Sequence, residues 1–357
     1  MLYAMDSTYT DSVIYKQTPA YITNTLDSSA AFWIENVKAG KYLLVALKDY
    51  GNNYVFDQNI GKIAFHSTPI ELPNDSLFAS LSLFREVNNF VASRPYFISK
   101  NKIGFGYQGS LDSMKIELLS LVDPDFKSMI THDREKDTLY YWFTDIETDS
   151  LVFDVSNTPF TLKPNHTETD SLILSFEPRG TLPLSETLYI KSNTPLVAKN
   201  DSLMSILNQD SIPVVFSSQI MENHMDVKFD FEVVPNEKYL VQLLPHAVTD
   251  FFGSTNDTLY FGVSTKSRID YGTIRLRIVN VPSLPFIIQL TNEKEEVIRE
   301  QIITEEQGEY AFENLNPSKY YVRVILDQNN NGIWDTGNFL YRTYPEPVYH
   351  FTPLLDV

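Results

Sequence analysis

Near the C-terminus stand nine residues, Asp327-Gln-Asn-Asn-Asn-Gly-Ile-Trp-Asp335, whose types and spacing suit them to hold a hard cation. Such ions take several oxygen ligands, and alternate side chains of a tight loop deliver them when a glycine lets the turn close. Asp327, Asn329 and Asn331 hold alternating positions, Gly332 follows, and Asp335 is placed to close the shell. Calcium is the ion this oxygen set would take. An Asn-rich β-turn whose side chains bond their own backbone explains the same residues, and the sequence leaves both readings open.

The loop has an echo at Asp49 to Asp57. Laying Glu35 on Glu313 brings Asn36 onto Asn314, Lys41 onto Lys319, Tyr42 onto Tyr320, Asp49 onto Asp327, Asn53 onto Asn331 and Asp57 onto Asp335 without a gap. The chain therefore begins and ends with the same kind of module. The first copy is poorer in ligands, with Gly51 where Asn329 stands and Tyr54 in place of Gly332, so an ordinary hairpin is its better reading.

Other chemistry leaves little trace. There is no Gly-x-Ser-x-Gly elbow, His-Glu-x-x-His pair, phosphate loop or dinucleotide fingerprint. His66, His132, His166, His224, His246 and His350 are scattered without ligand spacing, and no catalytic or cofactor-binding residue is assigned. Paired acids such as Asp123 with Asp125 are the solvated face of a very acidic chain. The aromatic run Phe339, Tyr341, Tyr344, Tyr349 and Phe351 reads as an edge strand packed on its own sheet, with a sugar- or protein-binding surface as the alternative.

A set of 28 Lys plus Arg against 46 Asp plus Glu gives a formal charge of -18, which repels nucleic acid and anionic membrane surfaces. Cysteine is absent, so neither disulfides nor thiolate metal sites exist. No apolar run reaches membrane-spanning length, and Met1-Leu-Tyr-Ala-Met5 has no basic region or cleavage site. The alternating segment Gly272 to Val281 precedes the repeated part of the last module, and the first copy lacks a counterpart. The expectation is a missing first strand and a natural N-terminus upstream.

Elements able to position these loops are short alternating strands. The first 84 residues offer Val13-Ile-Tyr15, Phe32-Trp-Ile34, Tyr42 to Leu47, Ile63-Ala-Phe65 and Leu77 to Phe84, with Gly40 expected to supply positive φ in the turn at Lys38-Ala-Gly40. Residues 85–165 continue through Ile103 to Tyr107, Met114 to Leu121, Leu139 to Phe143 and Leu151 to Val155, with Trp142 as a core plug and an exposed ligand platform as its alternative. A phrase recurs, Asp75-Ser-Leu, Asp137-Thr-Leu, Asp149-Ser-Leu, Asp170-Ser-Leu, Glu186-Thr-Leu, Asp201-Ser-Leu and Asp257-Thr-Leu, and reads as strand punctuation. Pro282 and Pro285 mark an edge strand or bulge before the last module.

Residues 166–270 resemble a known family. Pro178-Arg-Gly180, Leu188 to Pro195, Tyr239 to Leu244, Ala247, Asp250, Gly253 and Asn256 to Thr265 are similar in order to the Ig-like domain first described in bacterial S-layer proteins, the SbsA type. The resemblance implies a seven-stranded sandwich, and Asp250 reads as a turn residue. Gly308 to Val324 resembles the prealbumin-like sandwich of carboxypeptidase regulatory-like and Cna B-type domains. Where some of those domains carry a Glu that assists a Lys–Asn cross-link, Asn314 and Asn36 stand here, so no cross-link is expected. The Asp-Ser/Thr-aliphatic phrase also resembles the O-glycosylation acceptor of exported Bacteroidota proteins.

Together the order resembles Ig-like-domain envelope lipoproteins of Bacteroidota. The fold class expected is all-β, an elongated tandem array of sandwiches over 1–84, 85–165, 166–270 and 271–357. The function expected is a non-catalytic scaffold or interaction protein, a lipoprotein subunit of an outer-membrane assembly or secretion complex. Its partners would be other envelope proteins, with no nucleic acid and with membrane contact only through an upstream lipid anchor. The alternative is a glycan-binding or accessory region of a secreted carbohydrate-active protein.

Overall fold

A computed structural model describes residues 1–25, 31–73, 79–88, 90–111, 114–133, 136–146, 148–164 and 168–357. Among them the chain is all-β, a tandem series of sandwiches with helical structure confined to short 3-10 turns such as Asp201–Leu203. None of its described helices is long and apolar enough to cross a membrane. The phrase at Asp75 and the start of the strand expected from Leu77 lie outside the described residues.

Two compact units form. The first comprises Met1–Asn89, Asn280–Glu306 and Tyr321–Pro353; the second comprises Phe90–Val279, Gln307–Tyr320 and Leu354–Val357. Residues of both the first and the last module contribute to the first unit.

In that unit the strand Gly40–Lys48 is the organiser, pairing with Leu2–Ala4, Lys62–Phe65 and Ile70–Leu72. Its alternation feeds two apolar clusters on opposite faces. Leu43 and Val45 join Tyr3, Ile14, Ile63, Phe65, Phe84 and Phe339; Tyr42 and Leu44 join Leu2 and Ile70. Leu2 also bridges Tyr21, so the first strand is bonded on both sides. Two expected strands take other forms. Val13-Ile-Tyr15 lies in the 3-10 turn Asp11–Tyr15, which buries Val13 and Ile14, because three apolar residues carry too short a period to separate a turn from a strand. Phe32-Trp-Ile34 joins no ladder, although Phe32 and Ile34 pack on the Tyr42 cluster while Trp33 is exposed.

The last module adds a sheet ordered Val297–Ile303, Phe286–Thr291, Lys319–Leu326, Val348–Asp356. Phe286–Thr291 is buried along its whole length. On one face Gln289 takes an N–H from Arg323 at 2.6 Å and donates to Glu300, a polar ladder across three strands. Pro282 and Pro285 sit in the connector before Phe286 rather than in an edge strand, since no ladder begins until Phe286.

The second unit holds two sandwiches. In the earlier one Ile103, Phe105, Tyr141 and Phe143 face Leu151, Phe153 and Val155. Trp142 points to the opposite face of its strand, and it is still fully buried. Its indole N–H donates to Thr131 at 2.8 Å, the Lys102 ammonium lies 4.3 Å from its ring, and Phe252 of the following sandwich packs against it. Trp142 is thus a plug between modules rather than within one.

The later sandwich closes Leu188, Ile190, Val227 and Phe229 over Ile206, Val241, Leu243 and Val263. Each such buried side chain contributes roughly 1.5–3 kcal/mol of transfer free energy. Asp250 is 1% exposed and closes its turn, accepting N–H groups from Phe252 at 3.0 Å and Ser254 at 2.7 Å and the Thr194 hydroxyl at 3.0 Å. Four of the Asp/Glu-Ser/Thr-Leu phrases punctuate as read: strands Thr138–Phe143, Leu151–Val155, Leu188–Ser192 and Leu259–Ser264 each begin inside one or at its Leu, whereas Asp201–Leu203 is a 3-10 turn and the strand after Asp170 begins at Leu174.

Candidate cation-binding loop

The strand Lys319–Leu326 delivers Asp327 into the interior, where it is 2% exposed. Its two oxygens accept the main-chain N–H groups of Asn331 at 3.1 Å and Gly332 at 2.8 Å. Gly332 has φ +78, the left-handed conformation that glycine adopts without penalty. Asn329 and Asn331 each turn a side-chain amide onto one oxygen of Asp335, both at 2.7 Å, and their own Oδ1 atoms accept the N–H groups of Asn331 and Ile333. All four predicted residues therefore meet in one loop.

The echo in the first module carries the same bonds. Asp49 accepts the N–H of Tyr54 at 2.7 Å, five residues on, as Asp327 accepts that of Gly332; Asn53 accepts the N–H of Val55 as Asn331 accepts that of Ile333. Tyr54 holds φ 60 where Gly332 holds φ 78. The hydroxyls of Tyr42 and Tyr320 each donate to a carbonyl four residues back, Lys38 and Asn316. Asn36 and Asn314 are left-handed at φ 56 and φ 54. The positive φ expected at Gly40 thus falls on Asn36, because Asn tolerates that conformation and supplies the turn four residues earlier.

No protein-family model and no curated protein matches the sequence. Among solved structures the chain is similar to SGBP-B of the Bacteroides ovatus mixed-linkage glucan utilization locus in complex with a mixed-linkage heptasaccharide, at 11% identity over 90% of this chain and 81% of that one, TM-score 0.25. It is similar to Escherichia coli alpha-2-macroglobulin spanning domains MG0-NIE-MG1, at 9% identity over 52% and 96%, TM-score 0.23. Chicken CNTN1 FN1-FN3 domains match at 9% identity over 74% and 96%, TM-score 0.16.

One residue of the loop escapes sequence reasoning. Glu346, 6% exposed, enters from eleven positions beyond Asp335 and accepts the N–H of Gln328 at 2.6 Å and that of Asp335 at 3.1 Å. Its own main chain returns the contact, accepting the Trp334 indole N–H at 3.1 Å and donating to the Asp335 carbonyl at 2.9 Å. No spacing rule points to it; Pro345 and Pro347 on either side, which stiffen the approach, are its only local signal.

As cation chemistry, the loop supplies oxygen donors only: two carboxylates and two carboxamides, with a third carboxylate alongside. Among the described residues no group of three or more His, Cys, Asp or Glu gathers as a metal site. Asp327 and Glu346 are spent first on main-chain N–H groups, and Asp335 on the side-chain amides of Asn329 and Asn331. A carboxylate has about four acceptor positions, so those bonds orient the oxygens and leave lone pairs over. The fit to a hard cation is therefore chemical, and the turn stands without one.

The aromatic run after the loop divides. Phe339 is fully buried beside Phe65, and Tyr344 stacks on Phe65 at 4.8 Å between centroids with its hydroxyl donating to the Phe65 carbonyl. Tyr341 stays 82% exposed, and Tyr349 and Phe351 half-exposed on Val348–Asp356. The edge-strand reading holds only for the last two, since Asn338 to Thr343 closes as a tight turn through a pair of main-chain bonds.

Proposed function

We propose that this protein is a non-catalytic scaffold or interaction protein of the bacterial cell envelope, carried as a lipoprotein subunit of an outer-membrane assembly or secretion complex. The observation that supports a structural role is how the buried carboxylates are used. Glu86, Asp250, Asp327 and Glu346 are each nearly solvent-free, and each accepts main-chain N–H groups that fix a turn or a docking contact. A general base needs a carboxylate facing a substrate, whereas these face backbone. Function on such sandwiches resides in loops and edges, which here carry the exposed aromatic residues. The test is affinity purification of the native protein from membranes. Recovery with a stable set of envelope proteins supports the reading, and recovery alone sinks the complex.

A second reading is favoured by exposed rings, Trp33, Tyr341 and Tyr349 in the first unit and Tyr260 in the second, each of a kind that stacks on a sugar face. On that reading the chain is a glycan-binding or accessory region of a secreted carbohydrate-active protein. Retardation in gels containing soluble β-glucans, abolished by Tyr341→Ala or Trp33→Ala, would favour it over the scaffold.

For the loop itself we propose calcium held by Asp327, Asn329, Asn331 and Asp335. Binding to the folded state raises apparent stability by mass action, so unfolding is followed in millimolar calcium and in chelator. An unchanged midpoint removes the ion and leaves the turn.

A further inference from the structure

The eleven residues Thr336 to Glu346 make contact at both ends and in the middle. Thr336 donates its hydroxyl to the Arg85 carbonyl at 2.5 Å. Asn338 and Thr343 exchange main-chain bonds at 2.9 and 3.0 Å, and Arg342, at φ 55, donates to the Phe339 carbonyl, so the segment is a preformed turn rather than a loose loop. The turn presents Phe339 to the pocket of Phe65 and Phe84, where it is fully buried, while its N–H donates to the Glu86 carboxylate. Arg342 lies over the Phe339 ring at 4.2 Å and bonds Asp11 and the Tyr9 hydroxyl. Leaving the pocket, Tyr344 covers Phe65, and the chain returns with Glu346 inserted between Gln328 and Asp335.

From this we infer that residues 336–346 are a strap coupling two distant states: docking of Phe339 in the first module and closure of the Asp327–Asp335 loop by Glu346. The physical reason is geometric. Between Phe339 and Glu346 only six residues intervene, four of them inside the bonded turn Asn338 to Thr343 and one a proline, so little slack exists for one end to leave while the other stays. Closed packing around Phe339 is also all-or-none, since a ring half withdrawn loses its contacts without gaining water. Coupling of this kind is reciprocal: whatever opens the pocket must loosen the loop, and whatever opens the loop must loosen the pocket by the same factor. The inference does not depend on whether the loop binds calcium.

Hydrogen exchange on the full chain reads both ends. In Phe339→Ala, the amides of Gln328 and Asp335, which Glu346 holds, are expected to exchange at least about tenfold faster, while those of the strand Lys238–Leu243 keep their wild-type rate and report an intact second unit. In Glu346→Gln, the amides of Phe339 and Thr343 are expected to accelerate by a similar factor. Phe339→Leu, which keeps an apolar plug, should give an intermediate effect at the loop and guards against a first unit that fails to fold in the alanine variant. Acceleration confined to the end that carries the substitution, in either direction, overturns the coupling.

Discussion

The carboxylate of Glu86 accepts the main-chain N–H of Phe339, 253 residues further along the chain. Gln58 donates to the same carboxylate at 3.1 Å, and the whole group is only 3% exposed. A contact of this length in sequence joins the first module to the last.

Phe339 is the plug of the first module's core. Phe339→Ala removes a fully buried ring from among Phe65, Phe84 and Ile63 and is expected to destabilise the first unit by about 3–5 kcal/mol. The denaturant midpoint of that unit's transition should fall while the second unit's stays.

Burial pushes the Glu86 carboxyl above its ordinary value of 4.5, against the opposing pull of the N–H and hydroxyl groups around it. A raised carboxyl binds its proton more tightly folded than unfolded. Its contribution is therefore fully present below the ordinary value and is lost as pH rises through the raised one. Denaturation of the wild type and of Glu86→Gln over about pH 4 to about pH 8 should differ by that slope, with the variant the flatter of the two.

Gly337 has no room for a side chain. A Cβ there would lie 2.7 Å from the Thr343 carbonyl oxygen and 2.8 Å from the Phe84 ring. Gly337→Ala should cost about 1–3 kcal/mol by forcing the turn off its pocket, read as a lowered thermal midpoint of the first unit.

The repeated loops allow an exchange. Tyr54 holds a left-handed conformation that costs a non-glycine residue about 1–2 kcal/mol, so Tyr54→Gly should stabilise the first loop by part of that amount. Gly332→Ala should do the reverse in the second, where φ is +78 and the added Cβ meets Ile302 at 3.0 Å. Paired melts of the two variants measure both.

In the second unit, Trp142→Ala should cost about 3–5 kcal/mol despite lying outside both sandwich cores, because it strips the cover shared by Lys102 and Phe252. Trp142→Phe keeps an aromatic ring, smaller than the indole, but loses the bond to Thr131, and a smaller loss on denaturation is expected.

Sequence alone determined whatever depends on neighbours a few residues apart. Alternation placed the strands at Tyr42 to Leu47, Leu139 to Phe143 and Tyr239 to Leu243, since a period of two is a property of the strand itself. Spacing likewise brought Asp327, Asn329, Asn331 and Asp335 into one turn, and the gapless match of the two modules foretold their shared Asp, Asn and Tyr bonds. What only the tertiary structure decided is where side chains go when their partner is far away in the chain. Phe339 reads as one more aromatic of an edge strand, yet it fills a pocket built by Phe65 and Phe84; Trp142 reads as core, yet it seals a joint; Glu346 has no motif, yet it closes the loop. Periodicity says which face of an element seeks cover. It carries no information about which distant residue provides it, because that choice is made by the packing of the whole chain.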